Sequence, residues 1–79
     1  MTPTRLRIGP YRIGFYAKDR GEPRHVHVWR DNAQAKFMLD PVRYERSRGF
    51  GNQELRRIEA IVIEHAAGIR EEWDAYFAD

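Results

Sequence analysis

The chain reads as a small α+β domain: a small antiparallel β-sheet of three or four strands packed on one or two C-terminal helices. Three observations predict it. Between residues 5 and 42, short runs alternate apolar with polar side chains, the period of a half-buried strand. Asp31-Asn32 separates two of these runs, and both residue types tolerate the left-handed backbone that a tight hairpin needs. From residue 52 to residue 77 the apolar spacing changes to three and four, the period of a helix. Seventy-nine residues at 42% hydrophobic content suit one domain spanning 1–79, near the size at which a single core only just suffices.

Arg5 to Ile8 is a weak strand, punctuated by Gly9-Pro10. Tyr11 to Tyr16 sets Tyr11, Ile13 and Phe15 on one face against Arg12, Gly14 and Tyr16 on the other, and Lys18 to Pro23 is a polar loop. His25–Arg30 and Ala33–Leu39 flank the Asp31-Asn32 turn. Counting outward from that turn pairs Arg30 with Ala33, Trp29 with Gln34, Val28 with Ala35, His27 with Lys36, Val26 with Phe37 and His25 with Met38. One face then collects Val26, Val28, Ala35, Phe37 and Leu39, and the other His25, His27, Trp29, Gln34, Lys36 and Met38. A one-residue slip exposes Phe37 and pairs valine with lysine, so the apolar pattern supports the register independently of the turn.

Asp40-Pro41 is expected to end the sheet, and Val42 to Arg48 to be a basic connector. Gly49-Phe50-Gly51-Asn52 makes a turn with Asn52 as the helix N-cap, followed by Gln53 and Glu54. Leu55, Ile58, Ile61, Val62, Ala66, Ile69, Trp73, Tyr76 and Phe77 form the helical stripe that covers the valine face. Gly68 either splits the helix in two or is carried within it.

Composition excludes several classes. There is no cysteine, which removes disulfides, thiolate zinc sites and thiol redox chemistry. No apolar run approaches the roughly 18 residues of a membrane span, and Met1-Thr2-Pro3-Thr4-Arg5 lacks the core of a signal peptide, so a soluble cytoplasmic protein is expected. The net charge of +2 divides as +5 over residues 1–30, +2 over 31–57 and −5 over 58–79. A basic body of this kind suits phosphates; the acidic helix suits a basic partner.

The chemistry-bearing residues concentrate at Pro23-Arg24-His25-Val26-His27-Val28-Trp29-Arg30. His25 and His27 share a strand face about 6–7 Å apart, a spacing that serves an acid/base couple or a two-point metal clamp. A metal needs a third ligand, for which Glu22, Asp19 or Glu45 could serve, but no spacing demands one, and neither a metal nor a cofactor is expected. His65, beside the apolar stripe, reads as a packed edge residue on the opposite side. The histidine face gathers more residues for RNA. His25 and His27 would exchange protons with the 2′-hydroxyl and the leaving oxygen, with Lys36 carrying phosphorane charge. Trp29 offers a stacking surface, and Arg12, Tyr16, Arg24, Arg30, Arg43, Arg46 and Arg48 offer phosphate or base contacts. The alternative is a non-catalytic module in which this face, or the acidic helix, docks a protein or nucleic acid.

Tyr11-Arg12 with Phe15-Tyr16, Gly21-Glu22-Pro23-Arg24-His25-Val26-His27-Val28, Ala35-Lys36-Phe37, Leu39-Asp40-Pro41-Val42, Glu54-Leu55-Arg56-Arg57-Ile58 and Trp73-Asp74-Ala75-Tyr76-Phe77 run through nearly the whole chain. In these it resembles the bacterial family called domain of unknown function 4160. It departs from the family's Pro-His-Val-His-Val signature in carrying Arg24 where a second proline is usual, which leaves both histidines in place. The resemblance implies the candidate toxin of a type II toxin–antitoxin pair, with a protein of the domain of unknown function 2442 family as antitoxin. It transfers no established catalytic residue. Exposed sheet edges add the expectation of a homodimer.

Overall fold

The computed structural model describes residues 4–78; Met1, Thr2 and Pro3 of the segment read above as lacking a signal core, and Asp79, lie outside them. The strands are β1 (Thr4–Ile8), β2 (Tyr11–Gly14), β3 (His25–Arg30), β4 (Ala33–Leu39) and β5 (Val42–Arg48). A 3-10 turn at Ala17–Asp19 lies between β2 and β3, and one helix, α1 (Asn52–Tyr76), follows β5. All five strands form a single antiparallel sheet in chain order, β1-β2-β3-β4-β5. The sheet is therefore larger than the three or four strands expected. The added strand is β5, expected as a connector.

The β3–β4 hairpin has the register that counting from its turn predicts, at all six pairs from Arg30↔Ala33 to His25↔Met38. Asp31 takes the left-handed conformation at φ 54°, which its short polar side chain tolerates. With that register set, Val26, Val28, Ala35, Phe37 and Leu39 share a face and are essentially excluded from water. Tyr11 and Ile13 of β2 extend that layer, and Ile58, Val62 and Ile69 of α1 close it. Each such side chain contributes roughly 1.5–3 kcal/mol on burial, and they are this small domain's main source of stability.

The expected strand Tyr11–Tyr16 is ordered as a strand only to Gly14, although Phe15 still turns into the core. Asp40-Pro41 is the turn into β5 instead of the end of the sheet. β5 carries a bulge: Lys36 faces Arg46 while the next residue, Phe37, faces Tyr44, leaving Glu45 as the extra residue. Without it, Arg43 and Arg46 would project from opposite faces, because strand side chains alternate. With it, Arg43, Arg46 and Arg48 all fall on the face opposite the helix, opposite Met38, Lys36 and Gln34 in turn. Tyr44 falls on the helix side, its ring 5.9 Å from that of Phe37.

The helix begins one residue off the expected cap. Gly51 is the N-cap in extended conformation, with no side-chain cap hydrogen bond, and Asn52 is the first helical residue. The work of anchoring falls to Glu54, whose carboxylate accepts two hydrogen bonds from Arg30 and one from the Tyr11 hydroxyl, each at 2.8 Å. At the other end Arg24 bridges Asp40 and the helix residue Asp74, and Arg70 reaches the Leu39 carbonyl at 3.1 Å. Gly68 is exposed and carried within the single helix. No helix among the described residues is long and apolar enough to cross a membrane.

Candidate functional site

The face of the sheet away from α1 is roofed at one corner by the segment from Tyr16 to Pro23, which leaves β2 and returns to β3. This segment brings Asp19 over the two histidines. Its Oδ2 accepts the Tyr16 backbone N–H at 2.9 Å, and the same oxygen lies 3.2 Å from His25 Nε2 and 3.3 Å from His27 Nε2. The two rings meet edge to face with centroids 5.1 Å apart. Both imidazoles thus lie together on the expected face, but they are not equally open. The His25 side chain is 1% exposed and the His27 side chain 12%. Trp73, from the helix end, packs against His25 at 5.0 Å and completes its cover.

His25 Nδ1 lies 2.9 Å from the Pro23 carbonyl, which can only accept, so this nitrogen carries the ring proton when the imidazole is neutral. Burial pushes His27 below the usual imidazole range; the Asp19 carboxylate opposes that shift, and His25 and Lys36 reinforce it. His27 is accordingly neutral at pH 7. Both Nε2 atoms are buried, and neither meets the Asp19 oxygen with the geometry of a well-formed hydrogen bond.

His27 and Asp19 form the floor of a cleft of about 480 Å³, whose walls include Tyr16, Lys18, Glu22, Lys36, Arg46 and Arg48. Lys36 is the cross-strand partner of His27, and its ammonium lies 3.8 Å from the Glu22 carboxylate. Arg46 and Arg48 form the outer lip because the bulge at Glu45 keeps them on this face. Four cations and two carboxylates line the cleft, so its field attracts anions.

The remaining residues singled out in the sequence lie at differing distances from the cleft. Tyr16 lines the cleft, its ring 5.0 Å from that of His27. Trp29 shares the face but is only 7% exposed: it stacks on His27 at 5.8 Å and is met edgewise by Tyr16 at 5.7 Å, which leaves little ring for a base to cover. Arg12, opposite Trp29, and Arg43, opposite Met38, lie on the same face beyond the cleft walls. Arg24 and Arg30 are elsewhere, paired with Asp40, Asp74 and Glu54 where α1 meets the sheet. His65 is half-buried on the helix, its Nδ1 3.0 Å from the Ile61 carbonyl. Asp19 is the residue whose centrality the pattern understates, since, like the other candidate third ligands Glu22 and Glu45, it carries no distinguishing spacing.

Fold and site together define a compact α+β domain with a cation-walled cleft over a buried aspartate–histidine floor. The chain belongs to the family described as Domain of unknown function (DUF4160), whose model matches residues 11–74. That span holds every residue of the cleft. No curated protein and no solved structure matches the chain.

Proposed function

We propose that the protein is an RNA-binding and RNA-cleaving domain that acts as the toxin of a type II toxin–antitoxin pair, with its antitoxin a protein of the domain of unknown function 2442 family. The observation that supports it best is the alignment of Lys36, Arg46 and Arg48 along one side of a cleft whose floor is His27 and Asp19. The lip cations hold the phosphodiester backbone, and Lys36 offsets the extra charge that builds on phosphorus as a 2′-hydroxyl attacks it. The floor receives the hydroxyl proton, the bond from phosphorus to the 5′-oxygen breaks, and that oxygen takes a proton from water in the open cleft. This changes the roles read from the sequence: His25 is too enclosed to exchange protons with a substrate, so it supports the floor, and His27 is the imidazole in reach. Arg24 and Arg30, committed to the helix junctions, take no part in binding.

The test is direct. Purified protein degrades RNA and His27→Ala does not, while both keep the same circular dichroism spectrum; expression without the antitoxin arrests growth, and His27→Ala relieves the arrest. RNA that is bound but left intact removes the catalytic claim and leaves the non-catalytic binding module. RNA that is neither bound nor cut removes both.

A further inference from the structure

We propose that Asp19, His25 and His27 bind a divalent transition-metal ion of the zinc and iron(II) class, through one carboxylate oxygen and the two Nε2 atoms. Three independent features of the cluster point there. The first is distance. The three donors all lie within 4.8 Å of one another, with Oδ2 at 3.2 and 3.3 Å from the two nitrogens. Ligands that share one ion at about 2.0–2.2 Å sit roughly 3–3.5 Å apart, the separation of the carboxylate oxygen from each nitrogen.

The second feature is the unmet valence of the nitrogens. Both Nε2 atoms are buried, and although the Asp19 oxygen is close to each, neither contact has the geometry of a well-formed hydrogen bond. A buried polar atom in that state costs about 1–3 kcal/mol unless something satisfies it. For His25 the chemistry is sharper. Its Nδ1 proton is directed to the Pro23 carbonyl, so the neutral ring turns the Nε2 lone pair toward the Asp19 oxygen lone pairs. Two lone pairs at that distance repel, and a cation between them turns the repulsion into two bonds. A single proton serves one such line; one ion serves all three donors.

The third feature is the outer support. Histidines that bind metals commonly donate their other N–H to a carbonyl or carboxylate, which fixes the tautomer and ring orientation. His25 does so to Pro23, and the ligating oxygen of Asp19 is itself held by the Tyr16 N–H. Two imidazoles and one carboxylate form a set suited to zinc or iron(II), and three protein ligands leave at least one position open. Asp19 and His27 line the cleft, so the open position faces it. What the ion acts on there rests on the RNA reading; that it binds does not. In that reading Asp19, His25 and His27 would hold the ion, which would supply Lewis acidity at the open position beside the phosphate.

The experiment is calorimetric titration of the full chain, stripped with a chelator and dialysed, with Zn²⁺ alone. The expected result is one ion per chain, with affinity reduced at least about 100-fold in Asp19→Asn and in His27→Ala, at or beyond the loss that removing an outer-shell partner causes. His65→Ala and the Arg46→Ala, Arg48→Ala double variant bind the ion as the wild type does, and the double variant binds RNA more weakly. Co²⁺ bound to the wild type shows visible absorption bands of a nitrogen and oxygen site, a readout that needs no variant to fold. Failure of the wild type to bind one Zn²⁺ per chain, or unchanged affinity in His27→Ala, overturns the metal site. Stoichiometric binding with no RNA activity supports the site and removes only the RNA reading.

Discussion

Two glycines make opposite predictions for the same substitution. Gly49 follows Arg48, at φ 91°, where an L side chain is strained. A Cβ built there lies 2.9 Å from the Ala33 Cβ and 3.0 Å from the Ala33 Cα, an atom of the backbone that cannot swing aside. The left-handed conformation costs about 1–2 kcal/mol and forced overpacking about 1–3 kcal/mol, so Gly49→Ala is expected to destabilise the domain by about 2–5 kcal/mol. A domain of 79 residues has roughly 4–12 kcal/mol to lose. Gly68 sits on the exposed side of α1 with nothing within 4 Å of an added Cβ. Gly68→Ala is expected to stabilise by about 0.5–1 kcal/mol, the ordinary helix preference for alanine. Urea denaturation reads both: with a slope of about 1–3 kcal/mol per molar, the Gly49 variant's midpoint falls by about a molar or more and the Gly68 variant's rises slightly. An unchanged midpoint for Gly49→Ala would refute the close approach of β5 to Ala33, and with it the end of the strand that carries Arg48.

Other outcomes follow from the ion pairs and the lip. Hydrogen bonds from Arg24 hold the Asp40 carboxyl below the usual range, and hydrogen bonds from Arg30 do the same for Glu54. The unfolded chain therefore binds more protons, so the stabilisation is complete above the unfolded values near pH 4–4.5 and is lost as pH falls through the lower folded ones; urea midpoints between pH 6 and 3 show this slope, and Asp40→Asn with Glu54→Gln flattens it. For RNA binding, each phosphate contact to a single strand adds about 0.7 to the slope of log affinity against log salt, so Arg46→Ala with Arg48→Ala lowers that slope by about 1.4. Arg24→Ala leaves the salt slope unchanged, because its guanidinium is paired with Asp40 and Asp74.

The parts of the fold visible in the sequence are those where two local signals coincide. In β3 and β4 the Asp31-Asn32 turn and the alternation from Val26 to Leu39 each specify the same register. β5 has neither signal. It is an edge strand whose outward face is arginine, and the extra residue Glu45 breaks the two-residue period in its middle, so Val42, Tyr44 and Ser47 do not alternate evenly. The helix start misleads for a related reason: Asn52 is a good cap by residue type, yet the tertiary pairing of Glu54 with Arg30 and Tyr11 already anchors the first turn, and Gly51 supplies the extended cap residue. Placement of both histidines on one face followed from strand geometry. Their enclosure did not, because the covering groups, Asp19 and Trp73, come from the 17–19 turn and the far end of the helix, joined to the hairpin only in three dimensions. Arg24 and Arg30 show the reverse case, basic residues beside the histidines in sequence whose partners lie on the β4–β5 turn, the β3–β4 turn and α1.

That a single cleft engages RNA is tested most directly by titrating ¹⁵N-labelled protein with a short single-stranded RNA and mapping the amide and side-chain shifts. Changes concentrated on Tyr16, Gln34, Lys36, Arg46, Ser47 and Arg48, with the His27 ring among them, are the expected result. Changes centred on the outer face of α1, or none at RNA concentrations well above that of the protein, contradict it.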